Sequence, residues 1–231
     1  DPEKDWIASS QKTLLAMTKL RILITAGPTR EMLDPVRFLS NLSTGEMGFT
    51  LARHVKSKGH EVTLISGPVA LTPPRGVQFE SITSAADLQK VCQKEFPKHD
   101  VLIMTAAVCD FTAAKPSRQK IRRLKTKQFL LKQTPDIVAG LARKKGKRLV
   151  IGFCLETQDW LENARLKLLR KNLDGIVANF YTAKHVPFGN RKITTAFVSA
   201  KDTKMIHNQS KAQVSRKLLA WIERLRGQKA L

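Results

Sequence analysis

Five short apolar runs set the limits on what this chain can fold into. They are RILITAG (Arg21–Gly27), EVTLISG (Glu61–Gly67), DVLIMTAAV (Asp100–Val108), RLVIGF (Arg148–Phe153) and DGIVAN (Asp174–Asn179). Each is rich in Ile, Val and Leu and lacks the polar alternation of a half-exposed strand, so each reads as a strand covered on both faces. Helical patterns separate them: Gly48–Lys58, Ser84–Phe96 with Ser84 as N-cap, Pro135–Lys145 with its proline in the first turn, and Asp159–Lys171. Parallel neighbours can be joined only by a long connection, so this alternation predicts an α/β fold, Rossmann-like and doubly wound, mostly parallel, with helices on both faces. A small C-terminal strand pair, KITTAFVSA and TKMIHN, follows, and then a helix from about Ser210 to Leu225. On that helix Val214, Leu218, Trp221, Ile222 and Leu225 form one apolar stripe, which reads as core.

A chain of 231 residues suits one larger domain. The expected division is a loose N-terminal extension over 1–16 and a single domain over 17–231, with Met17 as the natural start. No run approaches the roughly 18 to 20 uninterrupted apolar residues of a membrane span, and DPEKDW is acidic where a signal peptide is basic. A cytoplasmic protein is expected. Cys92, Cys109 and Cys154 form no C-x-x-C pair and have no His at metal spacing, so they read as reduced structural thiols. Forty-one Lys and Arg against 19 Asp and Glu give a formal charge of +22. That field attracts any polyanion without specifying one. The basic residues are spread along the chain, with local clusters at RQKIRRLKTK and ARKKGKR and no recognisable nucleic-acid motif, so a basic nucleic-acid-binding protein is an alternative supported by charge alone.

In a sheet of this type ligands bind beyond the carboxyl ends of the strands. The first loop there contains DPVRFLSNLSTGEMG, Asp34–Gly48, a turn dense in polar side chains and glycines. It departs from G-x-G-x-x-G, which disfavours a plain dinucleotide site, yet Ser43, Thr44 and Gly45 lead into a helix whose free N–H groups suit a phosphate. An NAD(P)-dependent reductase would need Y-x-x-x-K, and the only tyrosine, Tyr181, is followed four residues on by His185. The loop after Val108 runs from Asp110 into a basic flap holding Lys120. On composition Asp110 could equally cap a helix and the flap be solvated surface. Lys167 and Lys171 are i and i+4 and share a helix face beside Leu161, Ala164 and Leu168, where they can snorkel to solvent or reach over a pocket.

Taken in order, ITAGPTRE, DPVRFLSNLSTGEMG, AAVCDF with KIRR, TPDIVAGLA, GFCLET, ARLKLLRKNLDGIVAN and FGN resemble the phosphopantothenate-cysteine ligase family from Leu20 to about Leu225. The nearest likeness is the bacterial, CTP-using form, here in a stand-alone version whose decarboxylase partner would be a separate protein. The resemblance implies that 4'-phosphopantothenate is activated by CTP to an acyl-cytidylate, which L-cysteine then captures, with Mg²⁺ as cofactor. It implies substrate contacts at Arg37, Asn41, Ser43 and Gly45, and catalytic roles for Asn41 and Lys120. Nucleotide contacts are implied at Ala106, Ala107, Asp110, Lys120, Pro135, Asp136, Ile137, Val138, Phe153, Lys167 and Lys171; no side chain is assigned to a metal. It also implies a homodimer completing the sites, with Leu33–Phe38 and the strand pair after Ile193 as candidate contacts. Three departures stand out: Glu46 where lysine is common, Cys154–Leu155 for a small pair, and Phe111–Thr112 for Tyr and Arg. Cys109 falls where a small residue is usual and reads as filling.

Overall fold

The computed structural model describes residues 19–123 and 128–229. The proposed start at Met17, the extension over 1–16 and the part of the basic flap over 124–127 lie outside the described residues. One eight-stranded sheet organises the rest. Its strands are β1 (Arg21–Ala26), β4 (Glu61–Ser66), β5 (Gln78–Ser81), β6 (Val101–Met104), β9 (Leu149–Glu156), β10 (Gly175–Phe180), β11 (Ile193–Val198) and β12 (Thr203–Gln209). Two three-residue pairs stand apart from it: β2 (Arg30–Met32) with β3 (Phe38–Ser40), and β7 (Phe111–Ala113) with β8 (Leu131–Gln133). The helices are α1 (Glu46–Ser57), α2 (Ala85–Glu95), α3 (Ile137–Ala142), α4 (Trp160–Arg170) and α5 (Lys211–Lys229).

The sheet order is β12-β11-β10-β9-β6-β1-β4-β5. From β5 to β10 all neighbours are parallel, and β11 and β12 add antiparallel at one edge. The C-terminal strand pair is therefore the rim of the main sheet rather than a separate addition. Side-chain alternation divides the core. Ile22, Ile24, Val101, Ile103 and Ile151 meet α1 and α5 on one face, while Leu23, Leu102, Met104 and Val150 meet α2, α3 and α4 on the other. The stripe predicted on α5 lies in the first of these clusters, with Val214, Leu218, Trp221 and Ile222 buried and Leu225 packed against them.

Local chemistry accounts for the helix ends. Ser84 caps α2 in a capping box: its Oγ accepts from the Asp87 N–H at 3.1 Å while the Asp87 carboxylate accepts from the Ser84 N–H at 2.9 Å. The third helix is shorter than its pattern suggests. Asp136 is its N-cap, accepting from the Ala139 N–H at 3.1 Å, so Pro135 precedes the cap instead of occupying the first turn. After Ala142 the chain tightens into turns around Gly146, whose φ is 53°.

Helix α1 approaches β1 very closely. A Cβ on Gly48 would lie 2.5 Å from the Ala26 Cβ and 2.6 Å from Thr105 Oγ1. Alanine in a helix gains about 1 kcal/mol over glycine, whereas overpacking against a backbone-fixed methyl costs about 1–3 kcal/mol. Overpacking wins, and Gly48→Ala is expected to lower the urea midpoint of unfolding; a midpoint equal to or above wild type would contradict this packing.

Candidate functional site

The chain leaves β1, turns to β4 and β5 on one side, and returns to β6 on the other. The loops after β1 and β6 therefore part at the carboxyl end of the sheet, the position where such folds open a crevice. Backbone contacts close its floor. The Thr29 N–H donates to the Ala107 carbonyl at 3.2 Å and the Ala107 N–H to the Gly27 carbonyl at 2.9 Å. Asn41 joins them, its Nδ2 donating to the same Ala107 carbonyl at 3.0 Å.

Above this floor lie two adjoining lobes. The larger, a cavity of about 940 Å³, is lined by Asn41, Ser43, Ala106, Ala107 and Asp110, then by Pro135 to Val138, and by Phe153, Lys167, Arg170 and Lys171. Lys167 and Lys171 come from the last turn and C-cap of α4, where Ala164 and Leu168 are buried on the core side and Leu161 packs against them. Lys167 Nζ pairs with Glu156, and Lys171 Nζ pairs with Asp136 at 3.0 Å. Two ammonium groups thus face the cavity with carboxylates already beside them. The smaller lobe, about 180 Å³, is lined by Ser43 to Gly48, Thr105 to Ala107, Phe153 to Leu155, Asn179, Pro187, Phe188, Ile193 and Lys211. Gly45 is the N-cap of α1 at φ 77°, with no side chain capping the helix, so the amides of its first turn are open to a ligand.

The structure brings most of the residues singled out in the sequence to this wall. Asn41, Ser43, Ala106, Ala107, Asp110, Pro135, Asp136, Ile137, Val138, Phe153, Lys167 and Lys171 all line the larger lobe, and Ser43 and Gly45 line the smaller. Arg37 and Lys120 stand outside both. Arg37 Nη1 donates to Asp34 Oδ2 at 2.7 Å and to the Ile121 carbonyl at 3.0 Å, and Lys120 is exposed at the start of the flap. Asp110 caps no helix; it precedes β7, and its carbonyl accepts from the Thr134 N–H. The cysteines are free and buried. Cys154 lines both lobes with its thiol pushed up to about 11 by burial, and burial likewise raises Cys109, which packs against Thr29.

Sequence reasoning missed Asp34, Arg170, Asn179, Phe188 and Lys211. Asp34 is buried and explains the D-P-x-R spacing. Its carboxylate accepts from the N–H groups of Val36 and Arg37 at 2.8 Å each and of Ile121 at 3.1 Å, besides the Arg37 guanidinium. It ties the tip of the β2–β3 hairpin to the flap. Among the described residues Asn179 Oδ1 is buried without a hydrogen-bond partner, at the edge of the smaller lobe.

Fold and site together define a Rossmann-like α/β protein with a crevice at the strand switch point, lined on one side by Lys167, Arg170 and Lys171. Residues 17–225 match the family described as the DNA/pantothenate metabolism flavoprotein C-terminal domain, and the chain belongs to that family. It is 40% identical over 219 residues to the coenzyme A biosynthesis bifunctional protein CoaBC of Bacillus subtilis, covering 94% of this chain and 54% of that protein. With the CoaBC protein of Vibrio cholerae identity is 45% over 163 residues, 69% of this chain and 41% of that one. The chain thus spans about half the length of the curated relatives it matches. Among solved structures, the C-terminal domain of a CoaBC protein superposes with a TM-score of 0.78 at 36% identity, covering 91% of this chain and 97% of that one. A DNA/pantothenate metabolism flavoprotein from Streptococcus pneumoniae gives 0.78 at 26% identity, covering 89% and 99%.

Asp34 supplies a pH signature. Burial opposes its ionisation, but the Ile121, Val36 and Arg37 amides and the Arg37 guanidinium outweigh burial and bring the carboxyl from 3.8 down to about 2. A depressed folded-state value gives stability that is present above the unfolded value and lost as pH falls through the folded one. The difference in urea midpoint between wild type and Asp34→Asn should therefore be full above about pH 4 and fade toward about pH 2. A difference that stays constant across that window would rule out the ionised carboxylate as the anchor.

Proposed function

We propose that this chain is a ligase that joins 4'-phosphopantothenate to L-cysteine in coenzyme A biosynthesis, with CTP as co-substrate, and that it acts in the cytoplasm. The observation that carries the reading is the larger lobe: Lys167 and Lys171 face, across one cavity, the switch-point turn formed by Asn41, Ala106 and Ala107. This is a polyphosphate wall opposite an amide-lined seat for the acid being activated. Family membership and the coenzyme A biosynthesis role named for the CoaBC relatives support the same reading. Neither a nucleic-acid-binding role nor a reductase role finds a comparable feature, since the charge is dispersed and the first loop lacks the dinucleotide pattern.

The chemistry sets the residue roles. A carboxylate is a poor electrophile, so the phosphopantothenate carboxylate oxygen attacks the α-phosphorus of CTP, the α–β anhydride breaks, and pyrophosphate leaves. Negative charge collects on the phosphates in that step, and Lys167 and Lys171 stabilise it by exchanging Glu156 and Asp136 for phosphate oxygens. Lys120 supplies a further cation if the flap folds over the lobe. In the second step the neutral amine of cysteine attacks the acyl carbon, its N–H proton is released, the amide C–N bond forms and CMP leaves. The Asn41 side-chain amide, seated on the Ala107 carbonyl, is the donor positioned for the developing oxyanion. When bound, Mg²⁺ would supply positive charge to offset the charge of the triphosphate. Asp110 and Asp136 are exposed acids lining the larger lobe that would hold such an ion. No described helix is long and apolar enough to cross a membrane.

A homodimer fits the same reading. The two small hairpins carry exposed apolar residues, among them Val36 at 60% and Phe38 at 41%, with Phe111, Leu130 and Leu131 on the neighbouring pair. In the other candidate contact, Ile193, Ala196, Phe197 and Val198 of β11 are buried in their own chain's core, and β12 forms the edge of the sheet. Phe38→Glu is expected to give a monomer in solution scattering with most of the activity lost; a fully active monomeric wild type would refute the dimer.

Purified protein with 4'-phosphopantothenate, L-cysteine, Mg²⁺ and CTP should release CMP and pyrophosphate. Absence of both products with every nucleoside triphosphate would overturn the ligase assignment. Rapid quench with α-phosphate-labelled CTP separates the steps. Lys120→Gln should depress acyl-cytidylate formation, whereas Asn41→Asp should let it accumulate in the presence of cysteine, losing about 10²–10³-fold in capture. Wild-type capture by Asn41→Asp, or untouched activation by Lys120→Gln, would show these roles to be wrong.

A further inference from the structure

Lys211 opens α5, and a lysine at a helix start reads as solvated surface. Instead it is 6% exposed and lines the smaller lobe. Its ammonium donates to the carbonyl of Pro187 at 3.0 Å and to that of Gly189. These two carbonyls flank Phe188, whose residue lines both lobes. The same short loop is held from the other side, where the Gly189 N–H donates to Thr44 Oγ1 at 3.3 Å. Phe188 is thus the one loop residue pinned between the last helix and the opening turn. Burying an ammonium costs desolvation that an apolar side chain at a helix start would avoid. Here that cost secures two carbonyls at the wall of the cleft and nothing in the hydrophobic core.

We propose that Lys211 is a positioning residue: by clamping the Pro187–Gly189 loop it sets Phe188 as the partition between the two lobes, and so seats phosphopantothenate against the activated phosphate. The clamp is read from the geometry alone, whereas its consequence for phosphopantothenate rests on the ligase reading. Burial lowers the Lys211 ammonium from its usual range, and the nearby Glu46 carboxylate works the other way. An ammonium has three N–H donors, and two of them go to the loop, which leaves the third for the lobe or its ligand.

Two measurements test this separately. Hydrogen–deuterium exchange on Lys211→Met reads the clamp whatever reaction the protein performs. Faster exchange in residues 184–192, with β10 and β11 unchanged, is expected; unaltered exchange in the loop overturns the clamp. Steady-state kinetics then read its consequence. Lys211→Met should raise KM for phosphopantothenate about tenfold with kcat changed far less, and Lys211→Met with Phe188→Ala should be no worse than Phe188→Ala alone. Additive effects of the two substitutions would mean that Lys211 does not act through Phe188, and overturn the proposal. If Lys211→Met does not fold, Thr44→Val removes the other tether and enters the same exchange and double-mutant experiments with the same opposing outcomes. A wild-type protein without ligase activity overturns the ligase reading and this role in it, while the exchange result still decides the clamp.

Discussion

The cleft exists because the chain parts at β1. Once β4 has been laid on one side of β1 and β6 on the other, the two loops that leave their carboxyl ends cannot hydrogen-bond as sheet, and some other contact must join them. Ala107 provides it, accepting from the Thr29 N–H and donating to the Gly27 carbonyl in an isolated bridge to Pro28. The Thr29 hydroxyl then accepts from the Cys109 N–H at 3.0 Å, so the β6 loop is held as far as Cys109, well beyond the strand's end at Met104. Asn41 can reach the Ala107 carbonyl only because this bridge presents it outward. Floor, amide donor and nucleotide turn are one backbone arrangement.

A second level of order hangs on that floor. The β2–β3 hairpin carries the chain out from Thr29 and back to Asn41, with the Ser40 hydroxyl donating to the Thr29 carbonyl at 2.8 Å. Its tip is governed by Asp34, a carboxylate that gathers three amides and a guanidinium, two of those amides from its own turn and one from the flap. Charge-assisted bonds to an acceptor out of water are the strong kind, so this junction fixes where the flap begins while leaving Lys120 free at the surface. Arg37 is accordingly occupied with structure. An arginine in a polar turn suggests anion recognition when read as a residue type, and the structure adds its ion pair with Asp34 at 2.7 Å.

This separates what the sequence made legible from what it did not. The central strands could be read because both their faces are covered and their residues are β-branched or aliphatic; Ile22, Leu23 and Ile24 are all fully buried. Helix α2 could be read from Ser84 and Asp87 because a capping box is local. Lys167 and Lys171 could be placed on one wall because helix geometry puts i and i+4 together. By contrast β2, β3, β7 and β8 have three residues each, too few for any period, and β5 is exposed along most of its length. Asp34 bonds to Ile121 and Lys211 to Pro187, partners 87 and 24 residues away, and no spacing rule reaches that far. The C-terminal pair could be recognised as strands but not located, since its edge position depends on β10 offering a free side.

Glu46 shows how such distant partners change the meaning of a residue. In the family-like block S-x-G-x-M-G a glutamate beside a phosphate-suited helix start looks like a charge in the wrong place. The structure sets it in the first turn of α1, where the helix dipole favours a carboxylate, and near Lys211 across the smaller lobe. A lysine at 46 would instead put a second ammonium beside a buried one, with the dipole against both. In this chain Glu46 works against the burial of Lys211, and the smaller lobe is lined by the uncapped start of α1, while the larger lobe is lined by Lys167, Arg170 and Lys171. The two lobes differ in the kind of positive potential they offer, one from backbone dipoles and one from mobile cations. An anion in the smaller lobe would meet donors fixed by the backbone, whereas one in the larger lobe would have to draw Lys167 and Lys171 away from Glu156 and Asp136.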